Sequence, residues 1–174
     1  MYRRATAPVA FTGAIGDMPI GTAPAQKPEP QQVVGANAPW LAIAFKEYGQ
    51  ARLVGPQSNP RILEYLHSVP NSDNSTDKND WASAFAEWCL NQVHINGPKS
   101  MKPKAWITWG QDIREPKPGA IAIFNFDGTE HVGFVIVVNA DDLIVLGGNQ
   151  DTRVEVRRYP KSKIINYRIP PAAN

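Results

Sequence analysis

From Pro39 onward the apolar positions recur first at helical spacing and then at strand spacing. In NAPWLAIAFKEYGQ, residues 37–50, Trp40, Ile43, Ala44 and Tyr48 fall on one side of a helix, and Pro39 suits its first turn. GPQSNPRILEYLHSV predicts a second helix, capped by Asn59, opened by Pro60 and turning Ile62, Leu63 and Leu66 inward. The polar run NSDNSTDKND, 71–80, reads as a loop. Asp80 is a good cap for a third helix reaching roughly Val93, with Trp81, Phe85, Trp88 and Cys89 as its buried stripe. After the break NGPKSMKP a short helix carries Ala105, Trp106 and Trp109.

Past Pro116 the period changes to two. KPGAIAIFNF, HVGFVIVV, DLIVLGGN, RVEVRRY and INYRI are short β-branched runs bounded by Gly, Asn, Asp or Pro, and they predict four or five antiparallel strands. Helices first and strands afterwards is an α+β order, with N-terminal helices packed on one face of a sheet. Residues 1–36 lack this periodicity and are rich in Ala, Pro, Gly and Gln. They read as an arm or linker, clearest at AQKPEPQQ, ahead of a domain over 37–170 and a tail at 171–174.

Composition narrows the chemistry. One cysteine, Cys89, excludes an internal disulfide and any multi-thiolate zinc centre. A net charge of +2 is far from the basic stripe of a nucleic-acid binder. The densest basic run, Arg157 to Lys163, reads as a solvated strand end, with mild attraction to an anionic polymer as the sharper alternative. No stretch of 18 apolar residues suggests membrane insertion. Tyr2-Arg3-Arg4 is followed by residues broken at Pro8, Gly13 and Pro19. The expectation is therefore a chain made in the cytoplasm without a classical signal peptide.

The candidate chemistry centres on KNDWASAFAEWCLNQ, residues 78–92. A cysteine nucleophile needs a stabilised thiolate, a base within reach and a group to orient that base. The start of a helix supplies the first through its free N–H groups and dipole. His131 opens a strand and is expected to aim at the neighbouring helix as the base. Asn149, after the strand DLIVLGG, is expected to hold the imidazole. Position 82, on the first helical turn, is where the sulfur belongs, and it is alanine. Cys89 lies seven residues further on, outside the field of the helix start, and reads as a buried structural thiol. Ser83 points away from His131, and no G-x-S-x-G elbow accompanies it. His67 and His94 have no second ligand at metal spacing, so no metal is expected.

WASAFAEWCL resembles the W-C-S-A-F-x-x-W-C-L helix start of the CHAP and NlpC-type cysteine peptidases and amidases. The likeness runs from PWLAIAFKEYG through GPQSNPRILEYL, PKPGAIAIF, HVGFVIVV and LGGNQ to YPKSKIINYRIP, covering nearly all of residues 39–170. It implies a papain-like α+β domain that cleaves amide bonds of peptidoglycan without a cofactor. The family's nucleophile falls on Ala82, its general base on His131, and its polar orienting residue on Asn149, with Gln150 as the fallback. Trp81 and Gln150 are expected to contact substrate, and N–H groups at the helix start, that of residue 82 included, to hold the oxyanion. Ala120 also departs from the family, standing where Asp follows the Pro-Gly turn.

The resemblance therefore implies a peptidoglycan endopeptidase or amidase, a lytic enzyme or an antagonistic bacterial toxin, silenced at position 82. Alanine there is either a deliberate replacement or the mark of a natural pseudoenzyme. The partners implied are a wall peptide and, for a toxin, a cognate immunity protein. Delivery would be to the periplasm of a target cell, or release by lysis. Two rival readings share the fold: a catalytically dead module that binds the wall or a partner, and an intracellular papain-like protease.

Overall fold

A computed structural model describes residues 37–73 and 75–171. The arm expected over 1–36, and all but the first residue of the tail, lie outside them. Three helices come first: α1, Pro39–Lys46; α2, Pro60–His67; and α3, Ala82–Asn91. A 3-10 turn, Pro103–Thr108, leads into the strands. These are β1, Gln111–Asp112; β2, Ile121–Phe126; β3, Thr129–Val138; β4, Asp142–Gln150; β5, Arg153–Pro160; and β6, Ile164–Ile169. They form one antiparallel sheet in the order β1-β6-β2-β3-β4-β5. All five β-branched runs form strands, where the sequence predicts four or five. The sixth, β1, is a two-residue exposed pairing along β6, too short to carry a period of its own.

Two apolar layers follow from the strand alternation. Ile121, Ile123, Val132, Phe134, Ile144 and Leu146 pack under the helices together with Trp40, Leu41, Phe85 and Leu90. The opposite face carries a smaller cluster of Ala120, Ala122, Phe124, Val135, Leu143 and Val145, bordered by Tyr159 and Tyr167. Helix α2 starts as its sequence predicts, with the Asn59 side chain accepting from the Arg61 N–H at 2.9 Å. Helix α3 starts one residue later than expected. Its cap residue is Trp81, while the Asp80 carboxylate reaches in to accept the Ala82 N–H at 3.1 Å.

Ser83, wholly buried, accepts from Trp106 Nε1 at 2.8 Å and donates to the Ser100 carbonyl at 2.6 Å, which excludes it from chemistry. Cys89 is wholly buried too, and burial pushes its thiol well above the usual range. His67 and His94 are exposed. Ala120 is buried behind the Gly119 turn, whose φ of +88° only glycine adopts readily. The cations of the basic run are matched: Arg157 with Glu155 and Asp151, Arg158 with Asp142, Lys163 with Asp127. Lys161 donates to the Ala140 carbonyl. The run is a charge-balanced strand end.

The helices are tied to one another through a buried carboxylate. Glu47, just past α1, accepts from Arg61 Nε at 2.8 Å and Nη2 at 2.7 Å, and from the Tyr65 hydroxyl at 2.6 Å. The same guanidinium lies 4.6 Å over the Trp88 ring of α3. Burial alone would raise the Glu47 pKa, but the bonds from Arg61 and Tyr65 outweigh it and hold the carboxyl below its ordinary 4.5. A depressed carboxyl contributes stability above its unfolded pKa and loses it as the pH falls through the folded one. Glu47→Gln is therefore expected to cost about 1–3 kcal/mol in urea unfolding at neutral pH. The difference should close as the pH drops below the ordinary carboxyl range.

Candidate active site

The site forms where the start of α3 meets the far end of β4. Helix α3 packs across β3 and β4, and the two glycines at the end of β4 let it come close. A methyl group on Gly148 would stand 2.5 Å from Phe85 Cβ and 2.7 Å from the Trp81 ring. One on Gly147 would come within 3.1 Å of Gln150 Oε1 and 3.4 Å of His131 Nε2. The absence of side chains at this step therefore serves both sides of the strand, the helix on one and the imidazole on the other.

Between Gly147 and Gln150 the pairing with β5 slips. Gly147 faces Glu155 and Gln150 faces Arg153, so β4 carries one residue more than its partner, a β-bulge. Asn149 sits in the slip with φ at +56°, a left-handed conformation that asparagine tolerates better than most residues. The bulge turns Gln150 inward, where it is 2% exposed. Its amide NH2 donates to the Glu155 carbonyl, which fixes the amide's orientation and aims Oε1 at His131 Nε2, 3.1 Å away. An amide oxygen can only accept, so the neutral imidazole carries its proton on Nε2 and keeps the Nδ1 lone pair free.

His131 is half-buried, with its ring 6.1 Å from that of Phe124 and 5.7 Å from that of Tyr159. It therefore stands on the sheet face turned away from the helices, not toward them as its place at a strand start suggested. The odd-numbered positions of this stretch face away from α3, while Val132 and Phe134 pack beneath it. Burial lowers the His131 pKa below its ordinary 6.5, against the opposing influence of the Gln150 bond and the Asp80 charge.

His131, Gln150, Asn149 and Asp80 line one cleft of about 520 Å³, with Phe126, Tyr159 and Pro160 among its apolar walls. Asn149 does not hold the imidazole: its amide donates to Asp80 Oδ1 at 3.0 Å, and Gln150 takes the orienting place instead. Gln150 is thereby engaged by the protein itself, not kept for substrate. Trp81 does not line the cleft. It is wholly buried, 5.9 Å from the Tyr65 ring and pressed on the glycine step, and its Nε1 has no acceptor among the described residues. Ala82 is 1% exposed. Its N–H, expected to be free for an oxyanion, is taken by Asp80. The first bond within the helix runs from the Phe85 N–H to the Trp81 carbonyl, so the N–H groups of residues 83 and 84 also have no acceptor in the helix.

The cleft thus holds a strand histidine oriented by a buried amide, and the start of α3 enters it through Asp80. Residues 73–149 match the CHAP domain. The match takes in the α3 start and His131, and it stops one residue short of Gln150. The match is consistent with a domain of the CHAP and NlpC type, a likeness that suggests a hydrolase of the peptidoglycan amidase type. No curated protein matches the chain. Among the described residues no group of His, Cys, Asp and Glu side chains could hold a metal ion. Nor is any helix there long and apolar enough to cross a membrane.

Proposed function

We propose that this CHAP-type site is built to hydrolyse peptide amides of peptidoglycan and that Ala82 silences it. The observation that carries the reading is the His131–Gln150 pair, held in an open cleft beside the start of a helix whose first-turn residue lacks the sulfur. With a thiol at position 82, the thiolate would attack the amide carbonyl carbon, and the helix start would favour both the thiolate and the oxyanion. Protonated His131 would give its proton to the departing amine, leaving a thioester. Water, deprotonated by His131, would then release the acyl group and restore the thiol. A methyl group can do none of this. The chain as it stands would bind wall peptide in the cleft and leave it intact, which is where the binding-module reading meets this one.

A hydrolase of this kind is useful only where it reaches a wall, through lysis of its own cell or transfer into the periplasm of another. The second route makes it an antagonistic toxin whose producer needs an immunity protein that closes the cleft. Capture from the producing strain with the Ala82 chain is expected to recover a partner that masks His131; recovery of none overturns the toxin reading.

Digestion of purified sacculi decides the chemistry. Ala82→Cys is expected to release fragments whose masses name the bond, while the unaltered chain releases none. If neither form cleaves across several wall types, and the unaltered chain still sediments with sacculi, the site is a binding module instead.

A further inference from the structure

The α3 side of the molecule enters the cleft through a single side chain. Of the residues lining it, only Asp80 precedes the sheet; the rest come from β2 onward. One oxygen of that carboxylate accepts from two places 67 residues apart in sequence, the Ala82 N–H at 3.1 Å and the Asn149 amide at 3.0 Å. Strand β4 ends in two consecutive amides, Asn149 and Gln150, either of which could serve a histidine. Asp80 occupies the first and leaves the second to the imidazole.

We propose that Asp80 is the positioning residue of this site, joining the first N–H of α3 to the bulged end of β4 and providing the negative charge that faces His131. Two jobs follow from one carboxylate. The bonded oxygen fixes the residue at position 82 relative to the strand that carries Gln150. The charge favours the imidazolium, opposing burial and Arg157, which both favour the neutral ring. The ring's other contacts include Gln150, whose oxygen accepts from it, and the rings of Phe124 and Tyr159, while Glu130, Asp151 and Lys163 are the further charged residues lining the cleft. A general acid must hold its proton until the leaving group takes it, so a counter-charge at the mouth of a partly buried site has a chemical use. This use rests on the hydrolase reading; the positioning itself does not.

Asp80→Asn separates the two jobs, since asparagine keeps an acceptor oxygen and loses the charge, whereas Asp80→Ala removes both. The first measurement needs no activity: the His131 imidazole resonance followed against pH by NMR in the unaltered chain and both variants. The expected result is a His131 titration shifted to lower pH in Asp80→Asn, with unfolding in urea essentially unchanged, and the same shift plus a loss of stability in Asp80→Ala. An unmoved His131 titration in both variants would make Asp80 a helix cap and nothing more, overturning the proposal. In the Ala82→Cys background, Asp80→Asn should move the alkaline limb of the pH–rate profile to lower pH. Asp80→Ala should lower kcat/KM roughly tenfold. If Ala82→Cys is inactive at every pH, the hydrolase reading fails, and the NMR result still decides the role of Asp80.

Discussion

Two missing side chains set the geometry of this molecule's cleft. At Gly147 and Gly148 the backbone of β4 is bare, and the helix start and the imidazole close on it from opposite faces. Any larger residue at Gly148 would collide with Phe85 and Trp81. The bulge that follows converts that close approach into a site. It breaks the two-residue alternation of the strand, so Asn149 reaches the Asp80 carboxylate and Gln150 reaches the imidazole. Without the extra residue the side chains after it would exchange faces.

The packing behind the glycines is rigid for reasons that have nothing to do with chemistry. Helix α3 is buried along almost its whole length. Glu47 and Arg61 tie α1 and α2 together, and Arg61 covers Trp88 on α3. Glu87 anchors the following loop by accepting from the Gly97 and Lys99 N–H groups at 2.9 and 2.8 Å. Burial nonetheless raises the pKa of that carboxyl, outweighing both bonds. These contacts hold the first turn of α3, with Ala82 enclosed in it at 1% exposure.

Much of this architecture is legible in the sequence because the periods are clean. Asn59 and Pro60 announce α2, and the β-branched runs after Pro116 announce five of the six strands. The sequence also singles out position 82 and His131, through the spacing of helix start and strand start and through the family likeness, and His131 does line the cleft that the start of α3 enters through Asp80. The finer assignments are not legible, since each depends on a relation the linear pattern does not carry. A one-residue slip decides between Asn149 and Gln150, and it shows only in the pairing with β5. The side of the sheet that His131 occupies depends on strand parity relative to a helix that ends forty residues earlier. Trp81 looks like a cleft residue from its place beside position 82, yet Tyr65 and Gly148 enclose it from distant parts of the chain. The Asp80–Asn149 bond spans 69 residues, and no local motif signals it.

The central claim is that position 82 is a thiolate site in chemical communication with His131. The most direct test is the pH dependence of alkylation of the thiol introduced by Ala82→Cys, read by mass spectrometry, with Cys89 buried and unreactive as the internal control. The account predicts rapid modification well below the ordinary thiol pKa of about 8.5, and loss of that low-pH reactivity when His131→Ala is added. A thiol that reacts only in the ordinary alkaline range, with or without His131, would contradict it.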